Sequence, residues 1–407
     1  MTRAMNRRLI LTGLAAAGLA VPLLPQAAIA ATSKKKQKKK KKKAAAVRSN
    51  YVPIERTALE NGEPLHVVVS LNEQKAHVYA GTRLIGSSPI SSGKPGHETP
   101  QGIFTVMEKR RHHKSNLYSN APMPYMQRLT WSGIALHEGH LPGRPASHGC
   151  VRLPRDFAAD LFSLETRNRH VIIAGGMPAV HPVSSARLFQ ARLQETASLD
   201  PSSGTGQSAA SNEGTDKPLR IYLTRHTGKH RLERVQHMLS RLGFYSGEQD
   251  GLMGRQTWRA LVDFQLAAGL KPTGVIKGAT LPVLETAFGI DETPAGHLYV
   301  RQAQKPVFDM PVHLSDAHEP LGTHLFSMGK PDASTNRADW VALTVEGDTL
   351  GGTGAALAAL SRFDIPANAI NRIESLLTPH SSLAISDTGL GPETGKGTDF
   401  IVVTRDW

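Results

Sequence analysis

The single cysteine of this chain, Cys150, lies among residues that are suited to nucleophilic chemistry. Residues 146–153 read Ala-Ser-His-Gly-Cys-Val-Arg-Leu, so a histidine precedes the thiol by two positions and an arginine follows it by two. A cysteine nucleophile needs a base or a cation that favours the thiolate, and hydrogen-bond donors for the oxyanion. A lone cysteine is most often a small buried hydrophobe. These polar neighbours do not pack a core, so we interpret Cys150 as a catalytic nucleophile.

Three histidines near Cys150 are candidates for its base. His137 directly ends an apolar run, so a strand would hold it rigidly, as a general acid–base group requires. It would take the thiol proton during attack, or form a thiolate–imidazolium pair in advance. His140 lies three residues further on and stays open as the alternative base. His148 is predicted to orient the loop or to transfer a proton directly.

The remaining residues of the motif are candidates for holding the substrate. Backbone N–H groups around residues 148–150 are the predicted oxyanion donors, and Ser147 and Gly149 belong to this oxyanion and substrate-binding set. Gly149 also suits a tight turn with a close backbone approach. Arg152 carries a fork of donors that matches a carboxylate. It is predicted either to clamp a substrate carboxylate or to hold the fold through an ion pair.

The sequence Ser-His-Gly-Cys-Val-Arg at residues 147–152 is similar to the signature of the L,D-transpeptidase catalytic domain, a cysteine acyltransferase that acts on peptidoglycan. Residues 99–104, Thr-Pro-Gln-Gly-Ile-Phe, resemble the Thr-Pro-x-Gly-x-Phe turn of that family. The family places a histidine between these motifs, as His137 stands here, and the resemblance covers roughly residues 64–176. It departs where Glu138 separates His137 from the next glycine, and where only 13 positions separate His137 from Cys150.

The resemblance implies a reaction and a substrate. The thiolate attacks the amide before a terminal D-alanine of a peptidoglycan tetrapeptide stem, D-alanine leaves, and an amine on a second stem resolves the thioester. No cofactor and no metal is expected. Two other functions stay open. One is a zinc-dependent cell-wall hydrolase with ligands drawn from His137, His140, His148 and Cys150. The other is a catalytically idle peptidoglycan-binding protein.

Short strands at near-even spacing are predicted around these motifs. Apolar, β-branched stretches favour strands at 65–71, 75–79, 83–90, 103–107, 128–136 and 169–174, and the spacing at 157–164 favours a helix. This pattern predicts a small β sandwich or barrel. Residues 109–127 contain a basic cluster followed by two prolines. We interpret them as a long irregular insert across the mouth of the site.

The N-terminal sequence carries an export pattern. Arg3, Arg7 and Arg8 precede an apolar run and an Ala-Ile-Ala site, so residues 1–30 are predicted to be a signal peptide for the general secretory or the twin-arginine route. Nine lysines predict a disordered tail at residues 31–50, which would attract anionic envelope polymers. Most of the net charge of +14 lies in these segments, so no nucleic-acid partner is predicted. We expect a periplasmic or cell-envelope protein with no stable membrane span after processing.

Three further regions are predicted downstream. Residues 179–217 are rich in small polar residues and predict a flexible linker. Residues 218–287 have helical spacing and resemble the peptidoglycan-binding three-helix module. Residues 288–407 predict an α+β region of unknown role, which we interpret as a degenerate relative of the catalytic sheet. The predicted fold class is therefore multidomain, with a β-rich L,D-transpeptidase catalytic domain, a small all-α module and an α+β C-terminal region.

Overall fold

The structure is a computed structural model. It describes residues 51–59, 62–115, 120–164, 169–191, 217–289, 294–330, 337–346, 353–391 and 393–404. The predicted signal peptide, the lysine-rich tail and most of the predicted linker lie outside the described residues. Within the described ranges, no helix is both long enough and apolar enough to cross a bilayer.

The region of the two motifs forms two sheets and one α-helix. Its elements in chain order are a 3-10 turn (Arg56–Leu59), β1 (Leu65–Ser70), β2 (Lys75–Ala80), β3 (Arg83–Pro89), β4 (Gly102–Thr105), β5 (Glu108–Arg110), β6 (Met126–Arg128), β7 (Ala135–Glu138), β8 (Val151–Leu153), α1 (Arg155–Ser163) and β9 (Arg169–Ala174). The predicted β-rich class is confirmed. Most of the predicted strands lie within two residues of their expected bounds.

Strand β1 is central to the larger sheet. It pairs antiparallel with β2 and parallel with β9. Side chains alternate between the faces of a strand. Val67 and Val69 lie in the core of this region, whereas Val68 lies in a second core shared with the C-terminal region. Because both faces are buried, β1 has three successive valines at its centre in place of an alternation of apolar and exposed polar residues.

The single strand predicted over residues 128–136 is wrong. In the smaller sheet, ordered β5-β6-β7-β8, strands β6 and β7 are joined by a tight turn over residues 129–134. The Ile134 N–H donates to Thr130 Oγ1 at 3.0 Å, and the Leu129 N–H donates to the Ile134 carbonyl at 2.8 Å. Leu129 and Ile134 in the turn are both buried. The apolar pattern of a strand therefore continues through the turn, and the turn cannot be recognised from the sequence.

Residues 109–127 are not the irregular insert that was predicted. Their described part extends the β5–β6 pair into a hairpin, in which the Met123 N–H donates to the His113 carbonyl and the Tyr125 N–H donates to the Arg111 carbonyl, each at 2.9 Å. The two prolines, at positions 122 and 124, alternate with these donors. Proline lacks an N–H, so it is tolerated where the strand amide would point away from the partner strand.

The C-terminal region contains an eight-stranded sheet, into which the helical module is inserted. The elements are β10 (His181–Val183), β11 (Leu219–Arg225), α2 (Gly228–Arg241), α3 (Arg255–Ala267), α4 (Thr280–Phe288), β12 (Gly296–Gln302), β13 (Lys305–Leu314), β14 (Thr323–Met328), β15 (Trp340–Glu346), α5 (Thr353–Ser361), β16 (Phe363–Asp364), α6 (Ala367–Leu376), β17 (Ser382–Ser386) and β18 (Val402–Val403). The sequence assigned residues from 218 onward to the module. Strand β11 instead pairs with β12 and β17, so the helices lie between two adjacent strands of the C-terminal sheet.

The two larger sheets share one topology. In the first, β4-β9-β1-β2-β3 are successive neighbours with β9 and β1 parallel. In the second, β14-β17-β11-β12-β13 are neighbours with β17 and β11 parallel. Phe104 of β4 and Phe326 of β14 hold equivalent ladder positions, and both side chains are fully buried. The C-terminal region therefore repeats the topology of the first sheet, as the sequence suggested, but it has no cysteine.

Two buried glutamines hold the loops of the helical module. In α2, the Gln236 side chain donates to Asp250 Oδ1 at 3.0 Å and accepts the Gly251 N–H at 2.8 Å. In α3, Gln265 accepts the Gly274 N–H at 2.8 Å in the same way. Each side chain supplies partners to a buried loop backbone that has no regular ladder. Helices α2, α3 and α4 enclose an apolar core of their own.

The two larger sheets pack face to face. Val68 and Ile172 of the first sheet lie in one apolar cluster with Tyr222 of the second. Across the same interface, the His66 ring nitrogen Nε2 and Ser327 Oγ are 2.9 Å apart. The last strand, β18, leaves the C-terminal region and pairs with β4 at the edge of the first sheet.

Candidate active site

The predicted site residues surround one cavity of about 610 Å³ beside the smaller sheet. Those in its wall are Cys150, His137, His140, His148, Ser147 and Arg152. The described part of the hairpin, residues 109–115 and 120–127, supplies another part of the wall. Residues that were separate candidates in the sequence therefore face a common space, which is open to solvent and large enough for a peptide segment.

The register of β7 and β8 brings the side chains of His137 and Cys150 to the same face. These strands are parallel, with Leu136 opposite Val151 and His137 opposite Arg152. Leu136 and Val151 point into the core. Since side chains alternate, His137 and Arg152 face the cavity, together with Cys150 one residue before β8. The alternation of polar and apolar residues in Cys-Val-Arg and Leu-His therefore reflects which face of the sheet each side chain occupies.

Cys150 is held as a partly buried thiol. Its Sγ donates to the Gly133 carbonyl at 3.3 Å, and its side chain packs against a small cluster that includes Met123 and Met126. Burial raises the pKa of the Cys150 thiol. A hydrogen bond from the Ala135 backbone and the positive charges of nearby arginines oppose this rise in pKa. Burial is the largest of these causes, so the resting group at neutral pH is the thiol.

His137 is buried and is fixed in one tautomer. Its Nδ1 lies 2.6 Å from the Glu138 carbonyl oxygen. A carbonyl can only accept, so Nδ1 carries the hydrogen and Nε2 is left as the basic nitrogen. The pKa of His137 is lowered to about 4, mainly by burial; the hydrogen bond to the Glu138 carbonyl opposes this shift, and the charge of Arg152 contributes to it. Both shifts in pKa favour a neutral imidazole and a thiol at neutral pH, which is the state that general-base catalysis would start from.

The turn before Cys150 is built by its own side chains and by the upstream motif. Ser147 Oγ donates to the Cys150 carbonyl at 2.5 Å and accepts the Gly149 N–H at 3.1 Å. Thr99 Oγ1 donates to the Gly149 carbonyl at 2.7 Å. Gly149 has a φ of +108°, and a Cβ there would lie 2.7 Å from Ile134 Cδ1, so only glycine fits without a shift.

These contacts change two of the predicted roles. The Gly149 N–H is occupied by Ser147, so it is not a free oxyanion donor in this arrangement. Ser147 is itself buried, and its hydroxyl serves the turn. The amides of His148 and Cys150, the other predicted oxyanion donors, stay predictions. Thr99 was recognised only as part of a motif, and its hydrogen bond explains why that motif accompanies the cysteine.

His148 lies at the exposed rim of the cavity. Its ring meets that of His97 edge to face, with centroids 4.7 Å apart. Partial desolvation and then the positive charge of Lys94 lower the pKa of His148. The ring is therefore neutral at pH 7, and its position is consistent with the predicted supporting role.

Two arginines bring positive charge to the cavity. Arg128 is paired with Glu108, with 2.9 Å between Nε and the carboxylate oxygen. Arg152, by contrast, has no ion pair with an acidic side chain anywhere in the described ranges, so the predicted fold-holding ion pair is not found there. Its backbone is fixed by two hydrogen bonds of 3.0 Å to Ser91. A half-buried guanidinium with no acidic partner suits an anionic ligand group.

Three contributors to the site were missed by the sequence analysis. Gly133 and Ala135 contact the thiol through backbone atoms, which leave no trace in residue type. Arg128 was assigned to a strand but not to the site, although it lies in the cavity wall. Only Ala135 lies on β7, the parallel neighbour of β8; Gly133 lies in the turn before β7, and Arg128 lies on β6, the antiparallel neighbour of β7.

The alternative of a zinc site finds no support in the arrangement of side chains. Within the described ranges, no group of three or more His, Cys, Asp or Glu side chains is arranged to hold a metal ion. His137, His140, His148 and Cys150 all line the cavity, but they do not form such a group.

Comparisons with known proteins agree with the two resemblances. Residues 64–173 match the family model of the L,D-transpeptidase catalytic domain, and residues 230–284 match that of a peptidoglycan binding domain. No curated protein matches the chain. An L,D-transpeptidase from Mycobacterium tuberculosis H37Rv is 25% identical over 27% of this chain and 57% of its own, with a TM-score of 0.26.

Other solved structures give similar figures. An L,D-transpeptidase from Stackebrandtia nassauensis is 27% identical over 28% of this chain and 58% of its own, with a TM-score of 0.26. Mycobacterium tuberculosis L,D-transpeptidase 1 is 29% identical over 28% and 60%, with a TM-score of 0.24. This chain therefore spans less than two thirds of these neighbours, and TM-scores this low carry no conclusion about it.

The matched ranges coincide with the sheets that carry the cavity and with the helices inserted between β11 and β12. Residues 64–173 are thus similar to the L,D-transpeptidase catalytic domain, and residues 230–284 are similar to a peptidoglycan binding domain.

Proposed function

We propose that this protein is an exported peptidoglycan L,D-transpeptidase with Cys150 as its nucleophile. The observation that carries the proposal is the single cavity that contains both the only thiol and a histidine whose Nε2 is left basic. The family model for residues 64–173 supports the reaction class. The identity of the nucleophile, the base and the substrate is our inference.

In the first half-reaction, a tetrapeptide stem acylates the enzyme. His137 Nε2 takes the proton of the Cys150 thiol as Sγ attacks the carbonyl carbon of the amide before the terminal D-alanine. The amides of His148 and Cys150 face the developing oxyanion, and Arg152 holds a substrate carboxylate. When the tetrahedral intermediate collapses, the C–N bond breaks. His137 returns the proton to the leaving amine, and D-alanine departs.

In the second half-reaction, an acceptor amine resolves the thioester. The amine attacks the thioester carbonyl, and His137 takes the proton that the amine loses. The C–S bond breaks, the proton returns to sulfur, and a new amide remains on the donor stem. A neutral imidazole is required at the start of each half-reaction, and the low pKa of His137 supplies one throughout the neutral range.

The other regions are assigned supporting roles. Residues 228–288 bind peptidoglycan and keep the catalytic domain near its polymeric substrate, which raises the local substrate concentration. We assign residues 1–30 to an export signal and residues 31–50 to a basic tail that contacts anionic envelope polymers. The linker is shortened to residues 192–216, because β10 pairs with β15 and Leu188 and Phe189 lie in the core of the C-terminal region. The catalytic domain spans residues 64–176. The protein accordingly acts in the periplasm or at the cell wall.

The test is product analysis by mass spectrometry. Purified protein is incubated with tetrapeptide muropeptides, and we expect release of D-alanine with formation of cross-linked dimers. Cys150→Ala should abolish both while the protein stays folded. Activity that persists in this variant contradicts the proposal. Activity that depends on added zinc favours the hydrolase alternative, and binding without turnover in the wild type favours the idle binding protein.

A further inference from the structure

The C-terminal loop at residues 393–398 lies against the turn that holds the catalytic cysteine. Glu393 Oε2 accepts the Trp131 N–H at 2.8 Å, and Oε1 accepts the adjacent Ser132 N–H at 2.9 Å. One carboxylate therefore engages two consecutive backbone amides with both of its oxygens. Charge-assisted hydrogen bonds of this kind are shorter and stronger than neutral ones.

Further contacts hold the same two segments together. The Trp131 indole Nε1–H donates to the Lys396 carbonyl. Thr398 Oγ1 lies 3.3 Å from Thr105 Oγ1, at the end of β4. Immediately afterwards, β18 pairs with β4. The loop is thus fixed at both ends, by the indole and the turn on one side and by the sheet edge on the other.

The turn that Glu393 holds is the one that contacts Cys150. Trp131 and Ser132 occupy the exposed side of the turn over residues 129–134. The next residue, Gly133, accepts the hydrogen bond of the Cys150 thiol at 3.3 Å. Ala135 follows, and its backbone also contacts the thiol. A shift of the turn would therefore move the partners of Sγ directly.

We propose that Glu393 is a positioning residue for the catalytic cysteine, and that the C-terminal region completes the active site of the catalytic domain. Glu393 lies 220 positions beyond residue 173, where the family match ends. It acts through the backbone of residues 131–133 and does not touch the substrate. The inference deepens the proposed function, because it concerns the same thiol.

The test is the pH dependence of Cys150 alkylation by iodoacetamide in Glu393→Gln. Glutamine keeps the size of the side chain but presents an N–H₂ group to one of the two amides, so the paired contact is lost. Water then reaches the thiol, and the burial that raises its pKa is reduced. We expect the midpoint of the alkylation profile to fall by about half a pH unit. In the same variant, kcat for D-alanine release should fall about 10-fold or more, with little change in KM.

Controls separate positioning from general loss of structure. Glu248→Gln makes the same chemical change at an exposed position in the helical module, and its profile should match the wild type. The thermal unfolding midpoint of each variant shows whether it is folded. Should Glu393→Gln fail to fold, Trp131→Phe replaces the indole by a smaller phenyl ring that has no N–H for the Lys396 carbonyl, and it should shift the profile in the same direction.

Alkylation of the thiol needs no transpeptidase activity. It therefore tests the positioning role of Glu393 even if the wild type releases no D-alanine and the proposed function fails. A folded Glu393→Gln variant with an unchanged alkylation profile overturns the inference.

Discussion

Gly102 of β4 and Val402 of β18 approach so closely that no side chain fits between them. A Cβ on Gly102 would lie 2.0 Å from the Val402 carbonyl oxygen, and Gly102 has a φ of +152°. Gly102 belongs to the Thr-Pro-Gln-Gly-Ile-Phe motif that accompanies the Cys150 motif in sequence. Because Gly102 has no side chain, β18 can pair with β4 at the edge of the catalytic sheet.

Gly102→Ala should displace β18 from the catalytic sheet. The clash is with backbone, which cannot rotate away, and the strained φ adds to it. We expect a loss of about 2–3 kcal/mol in stability, seen as a lower midpoint in thermal unfolding followed by circular dichroism. Gly96→Ala is the matched control, because Gly96 also has a positive φ but no atom lies within 4 Å of its added Cβ. Equal midpoints for the two variants would contradict the role of close packing.

The catalytic domain was more predictable from sequence than its connection to the rest of the chain. Strands such as β1 and β9 carry local apolar, β-branched runs, and the polar residues around Cys150 stand out against them. Strand β11 has a similar composition, but its partner β17 lies about 160 residues away. Local periodicity does not report such pairing. The Glu393 contact was hidden for the same reason, since a glycine-rich loop reads as a hairpin loop whatever it touches.

The acid limb of the pH–rate profile should reflect His137. The base must be neutral to accept the thiol proton, and burial lowers the pKa of His137 to about 4. Activity should therefore be present above this pKa and be lost as the pH falls through about 4. The measurement is kcat/KM for D-alanine release between pH 3 and pH 8, on protein shown to be folded across that range. A limb near the usual histidine value of about 6.5 would contradict this assignment.

At alkaline pH, the rate of alkylation should reflect the pKa of the Cys150 thiol. Because burial raises the pKa of Cys150, alkylation by iodoacetamide should keep rising beyond the midpoint of about 8.5 that a free cysteine shows. The reagent reacts with the thiolate, so its rate follows the thiolate fraction. A midpoint well below that of free cysteine would instead indicate a preformed thiolate–imidazolium pair. Peptide mapping should find the label on Cys150, the only thiol of the chain.

Substitution of each histidine should decide which one is the base. A thiolate that attacks amides should also open a strained β-lactam, and the family resemblance points to carbapenems. We expect imipenem to add to Cys150, with the thiol proton passing to His137. His137→Ala should slow this acylation by about 100-fold or more. His140→Ala should have a much smaller effect, because His140 lies on an exposed loop beyond β7. Intact-mass measurement over time gives both rates, and the reverse order would assign the base to His140.

The helical module should be removable without loss of the C-terminal sheet, provided that β11 is kept. Arg225 and Gly296 are ladder partners at the ends of β11 and β12, and the His226 N–H donates to the Ala295 carbonyl at 2.7 Å. A short Asn-Gly turn can therefore replace residues 228–293, because two-residue turns join antiparallel neighbours. The shortened protein should release D-alanine from small soluble muropeptides at about the wild-type rate, yet sediment less with intact sacculi. The lysine-rich tail is removed from both proteins so that it cannot mask the difference.

A second deletion that also removes residues 219–225 should not fold properly, because β11 is central to its sheet. Unchanged sedimentation of the shortened protein would make the module a spacer.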